Sequence, residues 1–214
     1  DWSSDVCSSD LYSPLLVSES KRLWPSYTHL SLSGAQIEQE TCPSLKSSMC
    51  WSPTAQLKTP FEQGVGFGQT TRAWGKDGRL RFDAMAELKL KYPKELGAIS
   101  WDDWKDPTMQ MRMYVLKMKE TCDGVKGAKT QSDMFAMCLS AYNGGAGGLR
   151  SDRFICSATK GCDPGVWYGN VALTSNKARK PLPGYKVASF DINRGYVDNV
   201  FFVRRPRYLS LDAS

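Results

Sequence analysis

Histidine is nearly missing from this sequence: His29 is the only one in 214 residues. Zinc amidases and zinc peptidases take two or more imidazole ligands from the chain, so that chemistry lacks its ligands here. A Cys–His or Ser–His hydrolase would rest on His29 alone. The stretch Tyr27-Thr28-His29-Leu30 around it carries no catalytic motif, and His29 is expected to be structural. Long apolar runs are missing too. A membrane span needs about 18 consecutive apolar residues. The nearest approach, Leu11 to Val17, is broken by Ser13 and Pro14 and followed by Glu19, Lys21 and Arg22. Neither stable membrane insertion nor an intact signal peptide is expected of this stretch. There is no internal repeat, no low-complexity linker, and no nucleic-acid motif among the basic residues. With imidazole chemistry set aside, carboxylates remain as the candidate catalytic groups, and no metal or cofactor is expected.

What is present begins with a foreign-looking start. Asp1 to Leu11 reads DWSSDVCSSDL, which resembles, codon by codon, the translation of a sequencing-library adapter. On that reading residues 1–11 are non-native and disordered or loosely attached. On the same reading the native chain is expected to start upstream, with its export signal outside this sequence and residues 12–214 as the natural, N-terminally truncated domain. Setting the segment aside removes Asp1, Asp5 and Asp10, and the net charge rises by three from +6 to +9. Such a charge suits an anionic partner. Much of it is near the C-terminus, at Lys177, Arg179, Lys180, Lys186, Arg194, Arg204, Arg205 and Arg207; a solvated basic face is the alternative.

Setting the segment aside also removes Cys7, leaving Cys42, Cys50, Cys122, Cys138, Cys156 and Cys162. Cys42 with Cys50, and Cys156 with Cys162, flank short loops that disulfides close readily in an oxidising compartment. Their C-x7-C and C-x5-C gaps are wider than the usual zinc spacing. Cys122 and Cys138 lie on apolar helical faces, as buried thiols or as a further pair. The cysteines lead to the expectation that the protein works outside the cytoplasm, in a host periplasm or secreted.

Periodicity is helical. Helices are expected at 15–24, ended by Pro25, and at 26–41, with Pro43 preventing continuation. Others are expected at 82–92, with Phe82, Met85, Ala86 and Leu88 inward, and at 107–121, opened by Pro107. The set Met111, Tyr114, Val115 and Met118 follows i, i+3, i+4, i+7, and Phe135, Cys138, Leu139 and Tyr142 repeat it over 132–142. Gly144 to Gly148 ends that helix, a looped region runs to about Tyr185, and a last helix covers 191–204. Strand alternation is scarce, enough for one small β-hairpin. The expected fold is mainly α, a single helical domain of α+β character.

Three segments stand in order: Gln39-Glu40-Thr41 at a helix end, Gly64-Val65-Gly66-Phe67-Gly68-Gln69, and Ala141-Tyr142-Asn143-Gly144-Gly145. Together they resemble the three signature motifs of the soluble lytic transglycosylase family: Glu-Ser at a helix end, Gly-Leu-Met-Gln, and Ala-Tyr-Asn-Ala-Gly. With Ile37-Glu38-Gln39-Glu40, Cys156, Gly161-Cys162-Asp163 and Arg204-Arg205, the fuller pattern looks like the phage endolysins of that family. The resemblance covers roughly residues 30–208. Thr41 replaces the usual serine, Phe67 a leucine, Gly68 a methionine and Gly144 an alanine.

The resemblance implies a lysozyme-like fold that cuts the MurNAc–GlcNAc β-1,4 bond of peptidoglycan glycan strands, forms 1,6-anhydroMurNAc, and works as a monomer. Glu40 is its candidate acid/base. A glycosidic oxygen leaves only when protonated, and an ordinary exposed glutamate is ionised at pH 7. The site must therefore hold Glu40 beside apolar groups. Glu38 is the rival carboxylate, about 200° away around the helix; its replacement by Gln is expected to spare most activity. Gln69 offers donors and an acceptor to an acetamido group. Gly66 and Gly68 let backbone approach the sugar, and Phe67 gives an apolar wall. Tyr142 either steadies Glu40 or packs in the core, and Asn143 holds sugar or stem peptide. Trp167 and Tyr168 either stack on sugars or anchor a loop. A hydrolytic muramidase on the same fold would need a second carboxylate, with Glu62, Asp77 and Asp83 available. A wall-binding module without catalysis is the alternative of another class.

Overall fold

A computed structural model describes residues 8–42, 49–181 and 186–213 of the chain. Chain contacts divide it into two compact units: Asp1–Lys117 with Arg204–Ser214, and Met118–Val203. The fold is mainly α, with eight α-helices and a small four-stranded antiparallel sheet among the described residues.

The first unit opens with α1 (Ser8–Leu23) and α2 (Leu30–Thr41). Helix α1 corrects one expectation, because Ser8 to Leu11 form its first turn. Pro14 lies inside the helix and lacks the N–H for a bond back to Asp10. In that first turn Leu11 is 62% exposed. Residues 1–7 lie outside the described residues, as does Pro43.

Helix α2 starts later than the sequence suggests. Trp24 and Tyr27 stack at 4.2 Å just ahead of it. Every residue from Leu30 to Glu38 is buried, so α2 is enclosed on all sides rather than amphipathic. Its small residues allow this. A Cβ added at Gly34 would lie 2.9 Å from the ring of Tyr208. Several of its buried polar groups find partners, though one Glu38 oxygen has no hydrogen bond among the described residues. Ser31 donates through N and Oγ to the two Asp212 oxygens, each at 2.7 Å. Tyr114 donates to Gln36 Oε1 at 2.9 Å.

The sheet is a meander of β1 (Gln56–Lys58), β2 (Glu62–Val65), β3 (Thr70–Trp74) and β4 (Leu80–Asp83), each antiparallel to the next. The expected hairpin thus has four strands. Phe82 falls in β4 rather than in a helix, and Asp83 caps α3 (Ala84–Lys91), accepting from the Ala86 N–H at 2.9 Å. Helix α4 (Pro93–Leu96) follows. Met85, Leu88, Leu96, Ile99, Met113 and Leu116 form one apolar core here.

Helix α5 (Pro107–Asp123) runs through the boundary at residue 117. In the second unit, α6 (Gln131–Gly144) begins at a capping box between Thr130 and Asp133. Helix α7 (Ala146–Ser157) occupies what the sequence presents as loop. Its Ala-Gly-Gly start has poor helix propensity, but Leu149, Asp152 and Cys156 line one buried face. Helix α8 (Ser189–Asp198) leads into a π-helical turn, Asn199–Arg204. Within the first unit again, Arg205–Ala213 winds as a 3-10 helix against α2.

Disulfides join Cys42 to Cys50 and Cys156 to Cys162, as the loops suggested, and also Cys122 to Cys138, with Cα atoms 4.9 Å apart. The third bridge settles the pair the sequence left open. Thiol counting on the denatured, non-reduced protein is therefore expected to find at most one reactive thiol, that of Cys7. A count of three would mean that the α5–α6 bridge does not form.

Candidate functional site

Glu40 is the penultimate residue of α2 and is half-buried. The chain around it is tied down on both sides. Ahead of it, Gln39 Oε1 accepts from Arg204 Nε at 2.8 Å. Glu38 is 1% exposed and pairs with Arg207 and, at 3.7 Å, with Arg204. Behind it, the Thr41 hydroxyl donates to the Ile37 carbonyl at 2.7 Å and accepts from the Trp51 N–H at 2.8 Å. Cys42 is bridged to Cys50. The burial of Glu38 revises the expectation for it. The rival carboxylate is the anion that compensates two arginines.

The second motif is the β2–β3 turn. Gly66 has φ +68°, and a Cβ there would sit 1.8 Å from Gln110 Oε1. That oxygen accepts from the Phe67 N–H at 3.0 Å, and Gln110 Nε2 donates to the Pro53 carbonyl at 2.6 Å. Gln69, at φ +44°, turns its Nε2 inward to the Gly66 carbonyl at 3.1 Å and the Ala55 carbonyl at 3.4 Å. Gly68 is buried. Phe67 is fully buried, with its ring 6.4 Å from Trp51 and 5.1 Å from Tyr12. One expectation changes: Phe67 fills the core instead of walling a cleft. The Gln69 amide nitrogen bonds the loop's own carbonyls.

Trp51 to Ala55 is the link between the two motifs. Trp51 bonds the end of α2 and touches Phe67. Ala55 accepts from the Gly66 N–H at 2.8 Å. Trp51 Nε1 also donates to the Tyr208 hydroxyl at 2.9 Å, and burial pushes the pKa of Tyr208 up. Gly66→Ala is expected to cost about 3 kcal/mol, since it adds an unfavourable φ to a clash that Gln110 cannot relieve without losing its bonds. A thermal melt reads this; an unchanged midpoint would mean that the turn relaxes freely.

The third motif belongs to the second unit. Tyr142 is half-buried and Asn143 exposed, at the end of α6. Asn143 Oδ1 accepts from Asn193 Nδ2 at 3.1 Å. Asn193 is 1% exposed, and it also accepts from the Ser140 hydroxyl at 2.9 Å and donates to the Ser140 carbonyl at 3.0 Å. Next to it, Arg194 pairs with the buried Asp152 at 2.9 Å, and so does Lys177 at 2.7 Å. Burial lowers the pKa of Arg194 and Asp152 opposes that shift.

Trp167 is 1% exposed, its N–H donating to Asp133 at 2.8 Å and its ring facing the Arg194 guanidinium at 4.8 Å. It anchors a loop and offers no face to a sugar. Tyr168 is more open. Its ring neighbours Phe202 at 5.4 Å and Phe201 at 6.5 Å, and burial followed by nearby Asp198 pushes its pKa up.

Of the acids available to a hydrolase, Asp83 already caps α3 and accepts from Trp101 Nε1 at 2.9 Å. Asp77 pairs with Arg79 in an exposed turn, and Glu62 is exposed at the start of β2. Among the described residues, one trio of metal-ligand type comes together, Glu38 with Cys42 and Cys50. Its sulfurs are joined to each other and offer no thiolate.

Sequence reasoning missed Gln110, Trp51, Asn193 and the pairing of Arg204 and Arg207 with Glu38. Trp51 lies only ten residues from the Thr41 it bonds, but the others are partners far away in the chain, and only the Arg204-Arg205 pair carried any signal. No family model, curated protein or solved structure matches this chain significantly.

Proposed function

We propose that the chain is a peptidoglycan lytic transglycosylase of the phage endolysin type, acting on glycan strands outside the cytoplasm, with Glu40 as its acid/base. One observation carries the reading furthest: the first two motifs are knitted together through Trp51 to Ala55, with Glu40 on a helix end fixed on both sides. Holding a carboxylic acid in one place is what general acid catalysis asks of a fold. The three disulfides suit an oxidising compartment. Among the described residues, no helix is long and apolar enough to cross a membrane.

In the proposed reaction Glu40 donates its proton to the glycosidic oxygen as the C1–O4 bond breaks. The 6-hydroxyl of the muramic sugar closes onto C1, assisted by the 2-acetamido group, and returns its proton to Glu40. No water is consumed and no second carboxylate takes part. This agrees with the structural employment of Asp83 and the exposure of Glu62 and Asp77. Within the second unit, Asn143 is oriented by Asn193.

Mass spectrometry of fragments released from purified peptidoglycan tests this. The expected muropeptides are lighter by one water than their hydrolysed counterparts. Reducing muramic ends would make the chain a hydrolase, and binding without release would make it a wall-binding module.

A further inference from the structure

We propose that Arg204 is a positioning residue for Glu40 and that Arg204–Ala213 acts as a strap holding α2 at its working register. The inference rests on Glu40 being the acid/base proposed above. The strap grips α2 near both ends. At the start, Arg205 Nε donates to the Ser31 hydroxyl at 2.9 Å, and Asp212 accepts from the Ser31 N–H and hydroxyl. In the middle, the Tyr208 ring lies over Gly34, the one α2 residue that leaves room for it. At the end, Arg204 and Arg207 take Glu38 and Gln39.

Arg204 is the unusual member. It is 7% exposed, and burial lowers its pKa while Glu38 opposes that shift. One guanidinium reaches two consecutive residues of α2, through Nε to Gln39 and through Nη1 towards Glu38. Those two residues lie on different faces of the helix, about 100° apart. The Gln39 bond at 2.8 Å, with the Glu38 charge 3.7 Å away and not hydrogen-bonded to Nη1, fixes the rotation of the turn. Glu40 is the next residue, so the direction of its carboxyl is set by that rotation. The guanidinium fork is rigid, which a lysine ammonium is not.

Kinetics on purified peptidoglycan with Arg204→Lys, Gln39→Met and the double variant test this. Each single change is expected to lower kcat about tenfold with KM unchanged, because a displaced acid slows the chemistry and not the binding. The double variant is expected to fall about tenfold as well, since both changes break one contact. Circular dichroism and thermal melts establish that each variant is folded. If Arg204→Lys fails to fold, Gln39→Met decides alone, because half-buried Gln39 can change without leaving a buried charge. A folded Gln39→Met protein with the kcat of the unmodified chain overturns the strap, and so does a double variant whose losses multiply. Glu40→Gln, run alongside, separates the two levels. If it is dead while Gln39→Met is normal, only the strap falls. If it is active, the acid assignment falls and takes the strap with it.

Discussion

Glu40→Gln is expected to abolish lysis of purified walls while leaving a folded protein. Gln has the shape of Glu but can neither donate nor take back the proton, and a lost general acid costs about a hundred- to ten-thousandfold in rate. The structure gives reasons for the fold to survive. The side chain is half-buried rather than enclosed. The flanking anchors act through Glu38, Gln39, Thr41 and Cys42 and do not require the Glu40 charge. The thermal midpoint is expected to stay within about 2 °C of the unmodified protein. Turbidity clearing at the unmodified rate by a folded Glu40→Gln chain would remove Glu40 as the acid, and with it the transglycosylase reading. A large drop in midpoint would show instead that Glu40 is structural.

What the sequence disclosed and what it hid follow from the range of the forces involved. Helices α5 and α6 were legible because their apolar residues repeat at 3.6-residue spacing on a buried face. The loop disulfides were legible because their partners are close in the chain. Helix α2 was half legible. Its Leu30 and Ile37 suggested a stripe, but its enclosure depends on Tyr208, Asp212 and Tyr114, each far away in sequence. Helix α7 was hidden by glycines whose propensity cost is offset by tertiary packing of Leu149 and Cys156. The sheet beyond one hairpin was hidden because β1 is exposed at every position and shows no alternation. At the site, residue types were readable but their employment was not. A glutamine after a glycine turn reads as a ligand for sugar; only the fold shows its amide bonded to the carbonyls of Gly66 and Ala55.

Glu38 is where that gap has the largest consequence. From spacing alone, Glu38→Gln is expected to spare most activity. From the structure, Glu38→Leu is expected to destabilise the protein by about 3 kcal/mol, because breaking a buried ion pair leaves the surviving charge uncompensated. The charge left behind is chiefly Arg204, with a side chain 9% exposed; Arg207, at 46%, can turn to water. For a chain of this size the thermal midpoint should fall by roughly 6–12 °C. Adding Arg204→Leu is expected to recover part of that loss, since an apolar pair of similar volume needs no compensation. A melt of Glu38→Leu within 2 °C of the unmodified chain would show that water or a rearranged Arg204 relieves the charge. A double variant less stable than the sum of its parts would show instead that the Arg204–Gln39 contact holds more of α2 in place than the ion pair does.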